Sequence, residues 1–471
     1  MKIIYLIFFL SFSGYCIASD FVVEINGSFQ GAAGQEIRLM QYTDQISYNE
    51  TEIQSVIADS MGNFQLSFSL FEPQYVFFRI DHARMGMFVE PGKTYQLKFD
   101  PVDFTKLDDR RNPHLDPWYF NFEIVAPSND LNHYINKFDS IFNQFLLQNF
   151  TIIHRTRNRQ LFDNFRNHTD SLFKHVENEY FQNYYKYKFA NYLRIANLER
   201  FDRLTREYIF DKPILFENTQ YMNFFHTVFD SYALATSRNI VINDLLHTVN
   251  HLSSTVALMD SLGKDTLLRN EVLRELVMIK TLQELFDNFD FVQENVRSML
   301  MQIATGSKFR RHRDIAQNTI LELEHLRPDT PAPKLMLTNQ SGQKIDIKQQ
   351  FGGRFILLMF WATWCETCQL DKIAMQELYE RYKNDFEFVS VSIDRHKSDF
   401  KTFLAENPVP WHSYYLGADF RQLDIYEVKA MPLFMIIDPN GNIARFPAPR
   451  PSENINQTFD ELLHERRIMR N

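Results

Sequence analysis

Phe355-Ile356-Leu357-Leu358-Met359-Phe360-Trp361-Ala362-Thr363-Trp364-Cys365-Glu366-Thr367-Cys368 is the stretch on which the reading of this 471-residue chain turns. Phe355 to Trp361 is a continuous apolar run of strand length, and Glu366 to Tyr382 has a helical pattern. Cys365 therefore falls where a strand ends and a helix begins. Free backbone N–H groups and the positive end of the helix dipole favour a thiolate there. Cys368, one turn later, is close enough to attack a mixed disulfide formed on Cys365, which makes a slow bimolecular exchange intramolecular. Cys365 reads as the attacking thiolate and Cys368 as the resolving thiol.

Working outward, a second strand is expected over Phe386 to Ile393, a helix over Ser398 to Glu406, and a strand over Leu433 to Ile437. The turn Asp438-Pro439-Asn440-Gly441, a short strand Asn442 to Phe446 and a closing helix from Glu453 complete the pattern. Strands broken by helices imply a mixed sheet with helices on both faces. Pro331-Ala332-Pro333, Phe360 to Cys368, Val391-Ser392-Ile393-Asp394 and Met431-Pro432 before a strand, in that order, resemble the TlpA/ResA-like branch of thioredoxin-fold proteins. The resemblance covers about Arg327 to the C-terminus. It implies a thiol-disulfide oxidoreductase whose Cys365 and Cys368 alternate between dithiol and disulfide. It also implies a cis bond at Pro432 beside the dithiol, with Trp364, Met431 and Pro432 meeting an extended client strand. The expected partners are protein disulfide clients and a thiol-disulfide electron donor, with no cofactor.

Two departures bear on mechanism. Many thioredoxins carry a buried Asp two positions before the Trp of the central strand, where this chain has Met359. ResA-like proteins have a Glu three residues after the second cysteine, where this chain has Asp371. Helical spacing puts Asp371 one turn beyond Cys368, so it is the expected handler of the resolving thiol's proton. Glu366 and Thr367 stand between the cysteines and tune the couple. A negative Glu366 beside Cys365 opposes the thiolate and argues against a strong oxidant, so the reading leans towards reduction or exchange.

Other chemistries fit less well. Structural zinc takes four ligands and no second CxxC is present, although His412 offers a stray nitrogen. A permanent bridge of so short a span closes almost no loop. Peroxidases of this fold place Thr or Ser three residues before the reactive cysteine, whereas Ala362 precedes Cys365 at that offset. His247 and His251 share a helix face at metal-binding spacing, but Thr248 stands where zinc proteases have glutamate.

Upstream, residues 19–125 alternate like strands, as in Phe21 to Gly27, Glu36 to Met40 and Tyr75 to Ile80, with turns at Asp59 to Asn63 and Glu90 to Lys93. A β-sandwich-like domain is expected. It resembles the β domain found ahead of thioredoxin modules in exported proteins of Bacteroidota-type bacteria. Over 126–326 the period becomes helical, with Leu131, Ile135, Phe138, Phe142 and Phe145 on one face as core. Further helices are expected over Asp244 to Met259 and Asn270 to Phe286. Asp329-Thr330-Pro331-Ala332-Pro333 ends the helical stretch, leaving 327–471 as the thioredoxin-like domain of a multidomain α+β chain.

Residues 1–18 read as a signal peptide, with Lys2, an apolar Ile3 to Phe12 and a Cys16-Ile17-Ala18 cleavage pattern. The apolar run is shorter than the ~20 residues of a spanning helix. The rival reading is lipidation at Cys16, which bulky Tyr15 disfavours. Export to the periplasm or cell envelope is expected, with no membrane span after cleavage. The mature chain then keeps only Cys365 and Cys368 of three cysteines, which suits redox chemistry better than stapling. A net charge of −9 with spread basic residues excludes a nucleic-acid footprint. A binding or scaffold protein that keeps the thioredoxin module for docking is the competing function.

Overall fold

In β4 (Asn63–Ser69) and β7 (Thr94–Phe99) side chains alternate between solvent and interior, the period of a strand with one wet face. With β1 (Val22–Ser28) and β8 (Phe122–Ala126) they form a sheet of order β4-β1-β7-β8. A second sheet, β3-β2-β5-β6, is built from β2 (Glu36–Tyr42), β3 (Glu50–Ile57), β5 (Gln74–Ile80) and β6 (Ala83–Val89). The two share one apolar core in which Phe29 stacks on Phe99 and meets Phe104 edge-on. Gly27 has to be glycine, because a Cβ there would lie 2.1 Å from the Phe64 ring. The computed structural model describes residues 21–81, 83–104, 119–417 and 419–470. The expected signal peptide, with Cys16, lies outside the described residues.

The helical layer comprises α1 (Leu131–Thr156), α2 (Arg159–Phe173), α3 (Glu179–Ile195), α4 (Phe201–Tyr208), α5 (Thr219–Phe229), α6 (Ile242–Leu246), α7 (Thr255–Leu262), α8 (Glu271–Leu285), α9 (Gln293–Gly306) and α10 (Arg310–Glu324). Asp130, Asn158, Asn178, Asn218 and Asn270 each cap a helix by accepting the backbone N–H three residues on. The aromatic stripe of α1 is core, with Phe138 packed among Phe142, Phe173, Phe181 and Phe189. Asp244 to Met259 is not the single helix expected. α6 runs into a π-helical turn, His247–Leu252, and the chain then breaks at Ser253 with φ of 45°. Ser254 starts α7 instead by accepting the Ala257 N–H, since serine side chains compete for backbone groups within a helix.

The C-terminal layer holds a seven-stranded mixed sheet of order β10-β9-β13-β12-β11-β14-β15. Its members are β9 (Met336–Thr338), β10 (Lys344–Asp346), β11 (Phe355–Trp361), β12 (Phe386–Ser392), β13 (His412–Tyr415), β14 (Leu433–Ile437) and β15 (Ile443–Arg445). β11 lies between parallel β12 and antiparallel β14, and all seven of its residues are buried. Because successive side chains point to opposite faces, both faces of the sheet are covered there. The helices are α11 (Ile347–Phe351), α12 (Glu366–Tyr382), α13 (Lys397–Glu406), α14 (Phe420–Ile425) and α15 (Ile455–Arg470).

Ionic contacts tie this layer to the N-terminal sheets. Asp424 of α14 sits between Arg38 at 3.2 Å and Arg79 at 3.0 Å. Arg421 reaches Glu36 at 2.6 Å and Glu52 at 2.9 Å. Arg395, just past β12, pairs with Asp81 at 2.5 Å and donates to the Phe104 carbonyl. Exposed pairs contribute little one by one, but Arg38 is buried, so its partner matters more. Asp424→Ala should lower stability by about 1–2 kcal/mol in urea denaturation, because it strands the Arg38 guanidinium.

Candidate active site

β11 delivers the chain to the site and a buried carboxylate arrests it there. Asp394, immediately beyond β12, accepts the Thr363 backbone N–H at 3.0 Å, the Thr363 hydroxyl at 2.8 Å and the Ser392 hydroxyl at 2.6 Å. From the other side, the Gln369 side-chain amide donates to the Ala362 and Thr363 carbonyls at 3.3 Å. The loop between strand and helix is thus held at both its N–H and its C=O groups.

Cys365 is the residue that caps α12, and its Sγ accepts the Cys368 N–H at 3.2 Å. In this oxidised form Cys365 and Cys368 are joined by a disulfide. Thr367 places its hydroxyl 3.4 Å from the Cys365 sulfur, and Glu366 and Thr367 are both exposed. Cys368 is fully buried whereas Cys365 keeps 4% exposure, so Cys365 is the more accessible of the two.

The Met431-Pro432 bond is cis. Phe360 pairs with Leu433 across the antiparallel β11–β14 ladder, so the preceding Met431-Pro432 lies alongside the end of β11, where the Cys365 loop starts. Met431 belongs to the same buried cluster as both cysteines, and Trp364 packs against that cluster. The structure therefore brings Trp364, Cys365, Cys368, Met431 and Pro432 to one end of the sheet.

Asp371 is 1% exposed, and its two oxygens are taken by Arg450 Nε at 2.8 Å and Ser452 Oγ at 3.3 Å. Met359 is buried in β11 opposite Ser390 and Phe434, with no acid in its place. His412 begins β13, where it pairs with Glu387 at 3.6 Å and packs on Phe351. His247 and His251 are exposed with ring centroids 5.6 Å apart. Among the described residues no group of three or more His, Cys, Asp or Glu side chains is placed to hold a metal.

Two residues of the site escaped the sequence reading. Asp394 was visible only as the last letter of Val391-Ser392-Ile393-Asp394, and its hold on Thr363 needed the fold. Lys372 is buried with its Nζ directly over the Trp361 ring and 4.8 Å from the Phe403 ring centroid. Among the described residues its Nζ has no hydrogen-bond partner. Burial pushes its pKa down to about 6, against the opposing pull of the Asp394 charge. The available signal was its spacing, since 368, 371, 372 and 375 share the inward face of α12.

A thioredoxin-like family model matches residues 352–443, from just before β11 to the start of β15. The C-terminal domain is thioredoxin-like. It is similar to the thiol-disulfide oxidoreductase ResA of Bacillus subtilis, 26% identical over 141 residues that cover 30% of this chain and 78% of the relative. ResA of Oceanobacillus iheyensis is 35% identical over 96 residues, 19% of this chain and 47% of that protein. The thioredoxin domain of a thiol-disulfide oxidoreductase from Bacteroides vulgatus aligns with a TM-score of 0.27 at 23% identity, covering 28% of this chain and 96% of that structure. The domain's dithiol chemistry is that of an oxidoreductase.

Asp394→Ala would leave the Thr363 N–H and two hydroxyls without their acceptor. It should cost about 2–4 kcal/mol of stability, read by thermal or urea unfolding. Amide exchange at Thr363 and Trp364 should quicken at the same time.

Proposed function

We propose that this protein is an exported thiol-disulfide oxidoreductase of the periplasm or cell envelope that reduces or exchanges disulfides in exported proteins. The observation that carries this reading is the Cys365–Cys368 pair at the N-terminus of α12, with the Cys365 sulfur accepting a backbone N–H. The cis Met431-Pro432 segment flanks it. The proposed division of the chain is a signal peptide at 1–18, a β domain at 19–125, a helical domain at 126–326 and the thioredoxin-like domain at 327–471.

In the reducing direction, the Cys365 thiolate attacks a client disulfide and one client sulfur leaves. Cys368 then attacks Cys365, releasing the second client sulfur and closing the internal disulfide. A dithiol donor returns two electrons to the pair. The helix N-terminus stabilises the Cys365 thiolate by roughly 0.3–1 kcal/mol, and the Cys368 N–H adds a direct hydrogen bond. Glu366, exposed beside it, opposes this, which supports a reducing role over a strongly oxidising one. Trp364, Met431 and Pro432 form the proposed client-facing rim, with Met431 offering backbone hydrogen bonds to an extended strand.

Reduction of insulin disulfides should proceed with the wild-type protein and fall to background with Cys365→Ser. Equal rates for the two would leave only a docking role for the module. Cys368→Ala should accumulate mixed disulfides, whose attached proteins identify the clients. Asp371, the proton handler expected from the sequence, is tested by Asp371→Asn: an unchanged pH dependence of exchange removes it from that role.

A further inference from the structure

Cys368 is fully buried, so the proton it loses on attacking Cys365 needs an acceptor inside the protein. The buried polar groups around it differ in what they have free. Asp371 has both oxygens engaged by Arg450 and Ser452. Asp394 accepts from Thr363 and Ser392, and Ser390 is paired with Ser413. Among the described residues the Lys372 Nζ and the Trp361 Nε1 have no hydrogen-bond partner, and of the two only the lysine nitrogen can accept a proton; Lys372 lies four residues beyond Cys368 on the same face of α12.

We infer that the Lys372 ε-amine takes the proton of the resolving thiol, a role that rests on the oxidoreductase reading above. The proton passes from Cys368 Sγ to Lys372 Nζ, and the electron pair left on Cys368 Sγ forms the bond to Cys365 Sγ. The bond between Cys365 and the client sulfur breaks, its pair leaves on that sulfur, and solvent protonates it. Lys372 returns its proton when a dithiol donor reopens the internal disulfide.

The surroundings suit an amine that alternates between neutral and charged. Burial among Trp361 of β11 and Phe403 of α13 keeps it neutral near pH 7, which leaves its lone pair available. Once it is protonated, the faces of those two rings and the Asp394 carboxylate beyond β12 favour the cation. The other charged groups on this face are Asp371 and the Arg450 that binds it.

The test uses the full chain and follows single-turnover resolution of a mixed disulfide with a small reporter disulfide between pH 5 and 9. The wild-type rate should show an inflection near pH 6. Lys372→Met should lose the inflection and resolve at least ~tenfold more slowly at pH 7. Lys372→Arg keeps the charge without a titratable lone pair and should be equally slow.

A merely structural lysine predicts a different pattern. Between pH 6 and about 10.5 the unfolded chain holds a proton on this amine that the folded chain lacks, so the stability of the wild type rises with pH across that window. Lys372→Met should therefore be more stable than wild type at low and neutral pH, with the gain fading towards pH 10.5. A stabilised yet slow enzyme is the expected signature. Wild-type resolution rates and pH profile in folded Lys372→Met overturn the inference, as does loss of the inflection in Asp371→Asn alone. A wild-type protein inert towards insulin removes the oxidoreductase reading itself, which is a separate failure.

Discussion

Asp394 gathers three hydrogen bonds at the point where β11 gives way to α12, and the position of the dithiol follows from them. A strand buried on both faces leaves its next residues little freedom, yet the helix has to begin within four residues so that Cys365 can cap it. Without an anchor, that short loop would spread its conformers and blur the geometry on which thiolate stabilisation depends. A carboxylate held rigidly at the end of the neighbouring strand supplies the anchor, and Gln369 closes the loop from the helix side.

α12 then inverts the usual arrangement of side chains. Asp371 and Lys372 face inward, while Leu370 and Ile373 are exposed. Asp371 is compensated by Arg450, but among the described residues Lys372 has only aromatic faces and a charge it does not touch by hydrogen bond. Desolvating an ammonium without a partner is unfavourable by more than one packed side chain restores. A group kept in that state beside a redox pair is more easily understood through its protonation chemistry than through its packing.

The fold was legible where pattern and length agree. Phe355 to Trp361 and Glu366 to Tyr382 can be read to the residue, because a wholly apolar run and an abrupt change of period mark both ends. The short strands β9, β10 and β13 were not, since three or four residues carry no period. Asp244 to Met259 misled because helical spacing continues through Ser253, and only the backbone shows the left-handed break. At the site, Cys365 and Cys368 announce themselves by spacing, whereas Asp394 and Lys372 acquire meaning from neighbours distant in sequence. The ionic seam formed by Arg38, Arg79, Asp424 and Arg421 was equally invisible, because its partners lie hundreds of residues apart.

The bridge between Cys365 and Cys368 spans a single helical turn. Opening it frees almost no chain, and both sulfurs stay within one rigid cap. Ile46 and Phe88 pack the N-terminal sheets onto the helical core, ion pairs tie those sheets to the C-terminal layer, and no disulfide crosses between layers among the described residues. Redox state and architectural integrity are therefore separate variables in this molecule. Reducing the bridge adds two electrons and two protons at one end of α12 and removes no disulfide between the layers.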